Sequence, residues 1–228
     1  MVGDYMELKV IGSGSDGNCY VLENEMECLV IEAGVNDSKI KEGIGFQINK
    51  VVGCIISHCH GDHAGYADKI EKMCINTFKP YKNYSRKEVL GGFTIYPFHL
   101  PHDVDNYGFV IQHKDVGTML YLTDFEYCKN TFKKLNPSTI LIAANYDETK
   151  IDKESVNFSH VVNGHSSIQT TCRFLEANNN PMLQNVILCH LSNDNANGDD
   201  FIAKAKEIVY CDVTVARKGM EINISLPF

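Results

Sequence analysis

The chain has 228 residues, of which 44% are hydrophobic and 22% charged, with a formal net charge of -8; that is enough for one sizeable core in a single domain, 1–228, and short for two. No run of about eighteen apolar residues marks a membrane helix, and the opening MVGDYMELKV lacks the basic and apolar regions of a secretory signal, so a cytoplasmic protein with no membrane partner is expected. The charge balance and the lack of a Lys/Arg-rich run weigh against a long nucleic acid held by its backbone, and nine scattered cysteines without a CxxC pair read as free or buried thiols.

In chain order, strands are predicted at MELKVIG (6–12), NCYVLENE (18–25), CLVIEAG (28–34), KVVGCIISH (50–58), FTIYPFHL (93–100), YGFVIQHK (107–114), TMLYLTDF (118–125), TILIAANY (139–146), NVILCHLS (185–192) and VTVARKGMEINI (213–224). Helices are predicted at DSKIKEGI (37–44) with Asp37 as cap, DHAGYADKIEKM (62–73), SIQTTCRFLEANN (167–179) and DDFIAKAKEIV (199–209). Hairpins early and alternating strands and helices later give an α/β chain of two sheets covered by helices on their outer faces. Five of the strands run into polar residues, at IISHCHGDH, YPFHLPHD, LYLTDFE, LIAANYD and ILCHLS, so their polar ends are expected to share one rim.

The densest of these ends is HCHGDH, residues 58–63. His58 and His60 lie two apart on one side of an extended chain, with Cys59 pointing away, while Asp62 and His63 follow where the chain enters a helix. Two differently aimed pairs suit two metal ions better than one, and imidazole with carboxylate and no thiolate favours zinc, with manganese or iron as alternatives. A His-rich loop can also be plain solvated surface; against that, His102, Asp124 and His190 each follow a later apolar strand and supply further ligands.

HCHGDH with these downstream ligands resembles the HxHxDH signature of the metallo-β-lactamase superfamily. The resemblance implies an αββα sandwich of two mixed sheets, one metal on His58, His60 and His102, a second on Asp62, His63 and His190, and Asp124 between them, with Asp62 and Asp124 also serving catalysis. GSGSDGN (12–18) is similar to the GSGSxGN opening of a narrower group that includes operon-associated nucleases and short phage and prophage proteins. Alone it reads as a Gly-rich turn or as backbone amides facing a phosphate. From it and from ANYDE, Ser13, Ser15, Asn18 and Asn145 become candidate substrate contacts; Ala143 stands where the narrower group has a glutamate.

Glu32 in VIEAG either supports a ligand imidazole or caps a loop, and Asp103 is a plausible acceptor for the neighbouring His102. His165 in NGHSS either contacts and protonates substrate, as a non-ligand histidine does in related phosphodiesterases, or starts a helix. His113 and His160 read as solvated, His99 as packed or as an alternative ligand, and Tyr66, Phe98, Tyr107, Phe125 and Tyr146 as core or base-stacking residues.

The likeness to short phage proteins that destroy cyclic mononucleotide signals, the anti-Pycsar group, implies a dinuclear phosphodiesterase opening 3′,5′-cyclic nucleotides, in a host cytoplasm if phage-encoded, and a homodimer. The alternatives are a 5′-exonuclease on single-stranded DNA or RNA and a nucleotide-binding sensor without turnover.

Overall fold

The computed structural model describes residues 5–73, 76–151, 164–192 and 195–227. The first sheet has the order β13-β1-β2-β3-β4-β5, made of β1 (Glu7–Gly12), β2 (Cys19–Glu23), β3 (Cys28–Ile31), β4 (Val51–Ile55), β5 (Thr77–Phe78) and β13 (Glu221–Asn223). The second has the order β12-β11-β10-β9-β8-β7-β6, made of β6 (Glu88–Leu90), β7 (Phe93–Leu100), β8 (Asn106–His113), β9 (Gly117–Leu122), β10 (Thr139–Ala143), β11 (Asn185–Cys189) and β12 (Asp212–Val215). Both sheets are mixed. Antiparallel hairpins join β1 to β3 and β6 to β9, where short turns suffice; parallel pairing links β3 to β5 and β9 to β12, where crossovers intervene.

Strand sequence follows from layer. β1 alternates, burying Leu8 and Val10 and leaving Glu7 and Lys9 half-exposed, as one-sided burial requires. β10 and β11, TILIA and NVILC, are apolar after their first residue because parallel strands in a sandwich are covered on both faces. The larger apolar cluster fills the space between the sheets with Tyr20, Leu22, Phe109 and Tyr121 and continues over the second sheet to Phe174, Leu175 and Phe201 of the helices Ile168–Asn178 and Gly198–Lys206. A smaller one packs Ile40 and Ile70, from the helices Asp37–Gly43 and Ala67–Met73, on Cys19, Val21, Val30 and Cys54 of the first sheet. The architecture is the αββα sandwich. Among the described residues no helix is long and apolar enough to cross a membrane.

Several local expectations change. The stretch 213–224 is two strands on different sheets, broken at ARKG, where Gly219 takes a φ of 83°. The 62–73 helix is split into Gly61–Ala64 and Ala67–Met73, because Tyr66 donates its amide to the Ala33 carbonyl rather than into the preceding turn. Asn36, not Asp37, caps the helix Asp37–Gly43, accepting from the Ser38 amide. The short edge strands β5 and β6 were not anticipated. His113 is buried: its ring lies 4.5 Å from Phe93 and its Nε2 is 3.1 Å from Glu27 Oε1. His99 is exposed against Tyr107, neither packed nor near the other site histidines. His160 lies outside the described residues.

Candidate metal centre

The loop after β4 carries HCHGDH over a floor made by the first sheet. Asn18 and Ala33 donate their amides to the Asp62 and His63 carbonyls, at 2.7 Å each. Gly34 permits this approach, because a Cβ there would overlap the Asp62 carbonyl. The later strands contribute at their ends: His102 after β7, Asp124 after β9, Asn145 after β10 and His190 after β11. Three of these rim positions, Glu32 (φ 65°), Asp124 (φ 45°) and His190 (φ 54°), are left-handed non-glycine residues. Such backbone is costly for L-residues and here turns each side chain off its strand and into the rim.

Two groups of ligand-type atoms result: His58, His60 and His102, and Asp62, His63, Asp124 and His190, the ligand atoms of each group lying within 4.8 Å of one another. Asp124 Oδ2 sits between the groups, 2.8 Å from His63 Nε2, 3.6 Å from His190 Nε2 and 3.7 Å from His58 Nε2. Asp62 Oδ2 lies 3.1 Å from His190 Nε2 and 3.4 Å from His63 Nε2. Cys59, between two of these histidines, is exposed and turned away.

The donor atoms fit divalent cations. His58 is buried and Ser57 Oγ stands 2.9 Å from its Nδ1; with the proton on that nitrogen, donated to Ser57, the Nε2 lone pair faces the first group. Among the described residues that Nε2 has no hydrogen-bond partner, an unusual state for a buried polar atom. Burial, reinforced by His63, pushes the His58 pKa down to about 2, so the ring is a neutral donor. Burial opposes ionisation of Asp62 and Asp124, but His190 and His63 hold both carboxyls well below the usual range. His63 is raised despite its burial by Asp124 and Glu32. A buried knot of imidazole and anionic carboxylate, in which a cation would take the place of the proton that His63 holds, is the ligand chemistry that borderline divalent metals take.

The surrounding residues divide. Glu32 is buried, accepts from the Ser57 amide and places Oε2 3.6 Å from His63 Nδ1, behind the ligand nitrogen. Asp103 departs from its expected part: its side chain is 60% exposed, and its Oδ1 lies 3.0 Å from His102 Nε2, the nitrogen that faces His60, rather than on the outer Nδ1. Asn18 is buried: its Oδ1 accepts from the Gly14 amide, and its Nδ2 lies 3.0 Å from His63 Nε2 and reaches the Gly14 and Asp62 carbonyls. Ser13 Oγ accepts from Tyr20 Oη at 2.9 Å and from the His190 amide at 3.1 Å. Ser13 thus holds the backbone of His190, and Asn18 the His63 side.

Ser15, Asn145 and His165 do line a pocket of about 190 Å³, together with Tyr146, His190, Ser192 and Asn195. Asn145 Nδ2 is 2.9 Å from His190 Nδ1 and 3.0 Å from its carbonyl, and Asn145 Oδ1 accepts from the Ser166 amide. His165 Nδ1 is 3.3 Å from Asp124 Oδ1, on the side away from the other ligands' contacts with Oδ2. Of the aromatic candidates only Tyr146 reaches the pocket; Phe125 is core, and Phe98 packs on Phe132. Sequence reading missed Ser57, Tyr20 and Asn106, and of these only Ser57, next to His58, had a positional signal.

The description Metallo-beta-lactamase superfamily fits a family model over residues 12–120. Among curated proteins, the chain is 30% identical over 91 residues to the anti-Pycsar protein Apyc1 of Paenibacillus harenae, covering 37% of this chain and 35% of that protein, so the match spans about a third of the relative. Among solved structures, the metallo-beta-lactamase fold protein YhfI from Bacillus subtilis superposes with a TM-score of 0.74 at 17% identity, covering 96% of this chain and 99% of that one. Yeast PDE1 gives 0.69 at 10% identity over 96% and 99%, and the short form of human tRNase Z gives 0.62 at 18% over 98% and 100%; at such identities these show the fold alone. The signature loop, the strand ends that carry the His and Asp cluster and the sandwich that joins them agree with these likenesses: residues 12–120 match the metallo-β-lactamase superfamily, and the chain has the fold of that superfamily's hydrolases.

Proposed function

We propose that the chain is a dinuclear phosphodiesterase that opens 3′,5′-cyclic nucleotides to linear monophosphates, and that it acts as one domain within a cytoplasmic homodimer as a counter-defence enzyme. The observation that carries this reading is His165, an imidazole belonging to neither ligand group, 3.3 Å from Asp124 and lining a pocket beside His190. The likeness to an anti-Pycsar protein and the net charge of -8 support a small nucleotide over a polymer.

On this reading His58, His60 and His102 hold one cation and Asp62, His63 and His190 the other, with Asp124 shared; zinc is the first choice and manganese the alternative. The cations supply Lewis acidity toward a phosphoryl oxygen and toward water. The protein's part is positional. Asn145 and Ser13 fix His190, Glu32 fixes His63, and Asp124 and Asp62 stay anionic and orient the attacking water, whose proton passes to solvent. Water adds to phosphorus, the bond to one ester oxygen breaks, and His165 gives its proton to that departing oxygen.

The test is incubation of zinc-loaded protein with cyclic CMP, UMP, AMP and GMP and with a labelled single-stranded oligonucleotide. Linear product from at least one cyclic nucleotide, with the oligonucleotide intact, supports the reading. An oligonucleotide degraded while all four cyclic nucleotides persist makes the chain an exonuclease, and binding without turnover makes it a sensor.

A further inference from the structure

We infer that the pocket beside His165 and His190 is a nucleobase subsite, in which Tyr146 forms the apolar wall and Asn195, supported by Ser192, reads the edge of the base. The inference rests on the phosphodiesterase reading, which puts the phosphate at the ligand groups; whatever is attached to that phosphate enters the adjoining cavity. Its described lining consists of Ser15, Asn145, Tyr146, His165, His190, Ser192 and Asn195, with no lysine, arginine or carboxylate. Apart from the imidazoles beside the ligand groups, a second phosphate would find no cationic side chain in the described lining, whereas a neutral ring with donors and acceptors on its edge finds an aromatic side chain, hydroxyls and carboxamides. At about 190 Å³ the space is below the usual range for a multi-ring ligand and suits one ring system.

The reading groups are held in place. Ser192 donates its amide to the Asn145 carbonyl at 2.9 Å, and the Asn195 carbonyl accepts from the Asp147 amide at 3.3 Å. The Asn195 amide donates to Ser192 Oγ, also at 3.3 Å. Asp147 is itself buried and bound to Lys204, Gln169 and Thr149. Tyr146 is fixed by its bridge to Ser167, whose neighbour Ile168 donates to the Tyr146 carbonyl at 2.8 Å. The wall and the edge-reading groups thus belong to two strand ends, after β10 and β11, that are tied to each other and position Asn145 against His190. An asparagine carboxamide offers one acceptor and two donors, the pattern that discriminates one base edge from another.

The experiment compares kcat and KM for the four cyclic nucleotides in the wild type, Asn195→Ala and Asn195→Asp, and measures inhibition by the matching free nucleosides, which carry a base and no phosphate. The expected result is a fall of about tenfold in the kcat/KM ratio between the best and worst cyclic nucleotide in Asn195→Ala, taken mainly in KM. A changed rank order in Asn195→Asp and weaker competitive inhibition by the preferred nucleoside are also expected. A uniform loss on all four substrates, or nucleosides that do not compete, overturns the base subsite while leaving the phosphodiesterase intact. If no cyclic nucleotide is cut by the wild type, the phosphodiesterase reading has failed; calorimetric titration of wild type and Asn195→Ala with the four nucleosides then decides the pocket alone, and equal or absent binding overturns it. Should Asn195→Ala not fold, Asn195→Ser is measured the same way.

Discussion

Asn106 and Asp124 are joined by a buried clamp: the Asn106 carboxamide nitrogen donates to the Thr123 carbonyl at 2.9 Å and to the Asp124 carbonyl at 2.5 Å. Asp124 is the left-handed residue whose carboxylate lies between the two ligand groups. The clamp therefore sets where the shared carboxylate sits, without touching it. Asn106→Ala is expected to lower Tm by about 4–8 °C, from two hydrogen bonds worth about 1 kcal/mol each, and to change the visible spectrum of the cobalt-substituted protein. Asn178→Ala, at an equally buried asparagine that bonds Phe132 and Phe174 away from the ligands, should lose stability and keep the spectrum. Identical spectra in wild type and Asn106→Ala would remove Asn106 from any part in positioning Asp124.

Gly164, at a φ of 82°, lies against the outer nitrogen of His102, and a Cβ there would overlap that ring. Gly164→Ala should cost about 1–2 kcal/mol from the left-handed backbone and displace His102, so that the first ligand group loses affinity before the second. Isothermal titration with zinc should show one of two binding steps weakened. Unchanged titration would mean the ring shifts without consequence.

His165 touches Asp124 but belongs to neither ligand group. His165→Gln should reduce kcat by about 10²–10⁴ with metal content at the wild-type level. Loss of metal in that variant would show a structural part in the centre in place of proton transfer.

Asp147 gives the clearest pH dependence. Its carboxyl is buried, which opposes ionisation, yet hydrogen bonds from Lys204, Gln169 and Thr149 hold it well below the usual carboxylate range. A depressed folded-state pKa contributes stability above the unfolded value, about 4, and that contribution is lost as pH falls through the carboxylate range toward the folded pKa. Lys204 keeps 37% of its side chain exposed, so solvent screening reduces the usual cost of breaking a buried pair, and Lys204→Met should destabilise by about 1–3 kcal/mol at pH 7. The gap between wild type and variant in urea melts should close below about pH 4; a gap independent of pH would contradict the pairing.

Much of the candidate centre was legible because ligand-type residues announce themselves by type, and the structure gathers the expected ones into two groups. One six-residue stretch supplied four of them, and the remaining three were isolated His or Asp residues at the ends of apolar strands, where few other residue types make sense. The supporting shell was less legible. Asn106 acts on backbone carbonyls 17 and 18 residues away, and an asparagine at the start of a strand carries no signal of that task. Ser13 and Asn18 were recognised in a Gly-rich turn, but whether such a turn faces a phosphate or props a ligand depends on the packing of Tyr20 and Asp62 beneath it. In the fold, the long apolar strands were readable from residue type, whereas the break in 213–224 reflects a change of sheet that only tertiary pairing decides. His113 read as surface because its partners, Glu27 and Asp115, come from two separate turns.

The most direct measurement is the zinc content of reconstituted, gel-filtered protein by plasma mass spectrometry, for the wild type and for His102→Ala and His190→Ala. Two equivalents per chain in the wild type and about one in each variant is the result that two separate ligand groups require. A wild type that retains no zinc, or three proteins that retain the same amount, would contradict the assignment of His58, His60 and His102 to one cation and Asp62, His63 and His190 to the other.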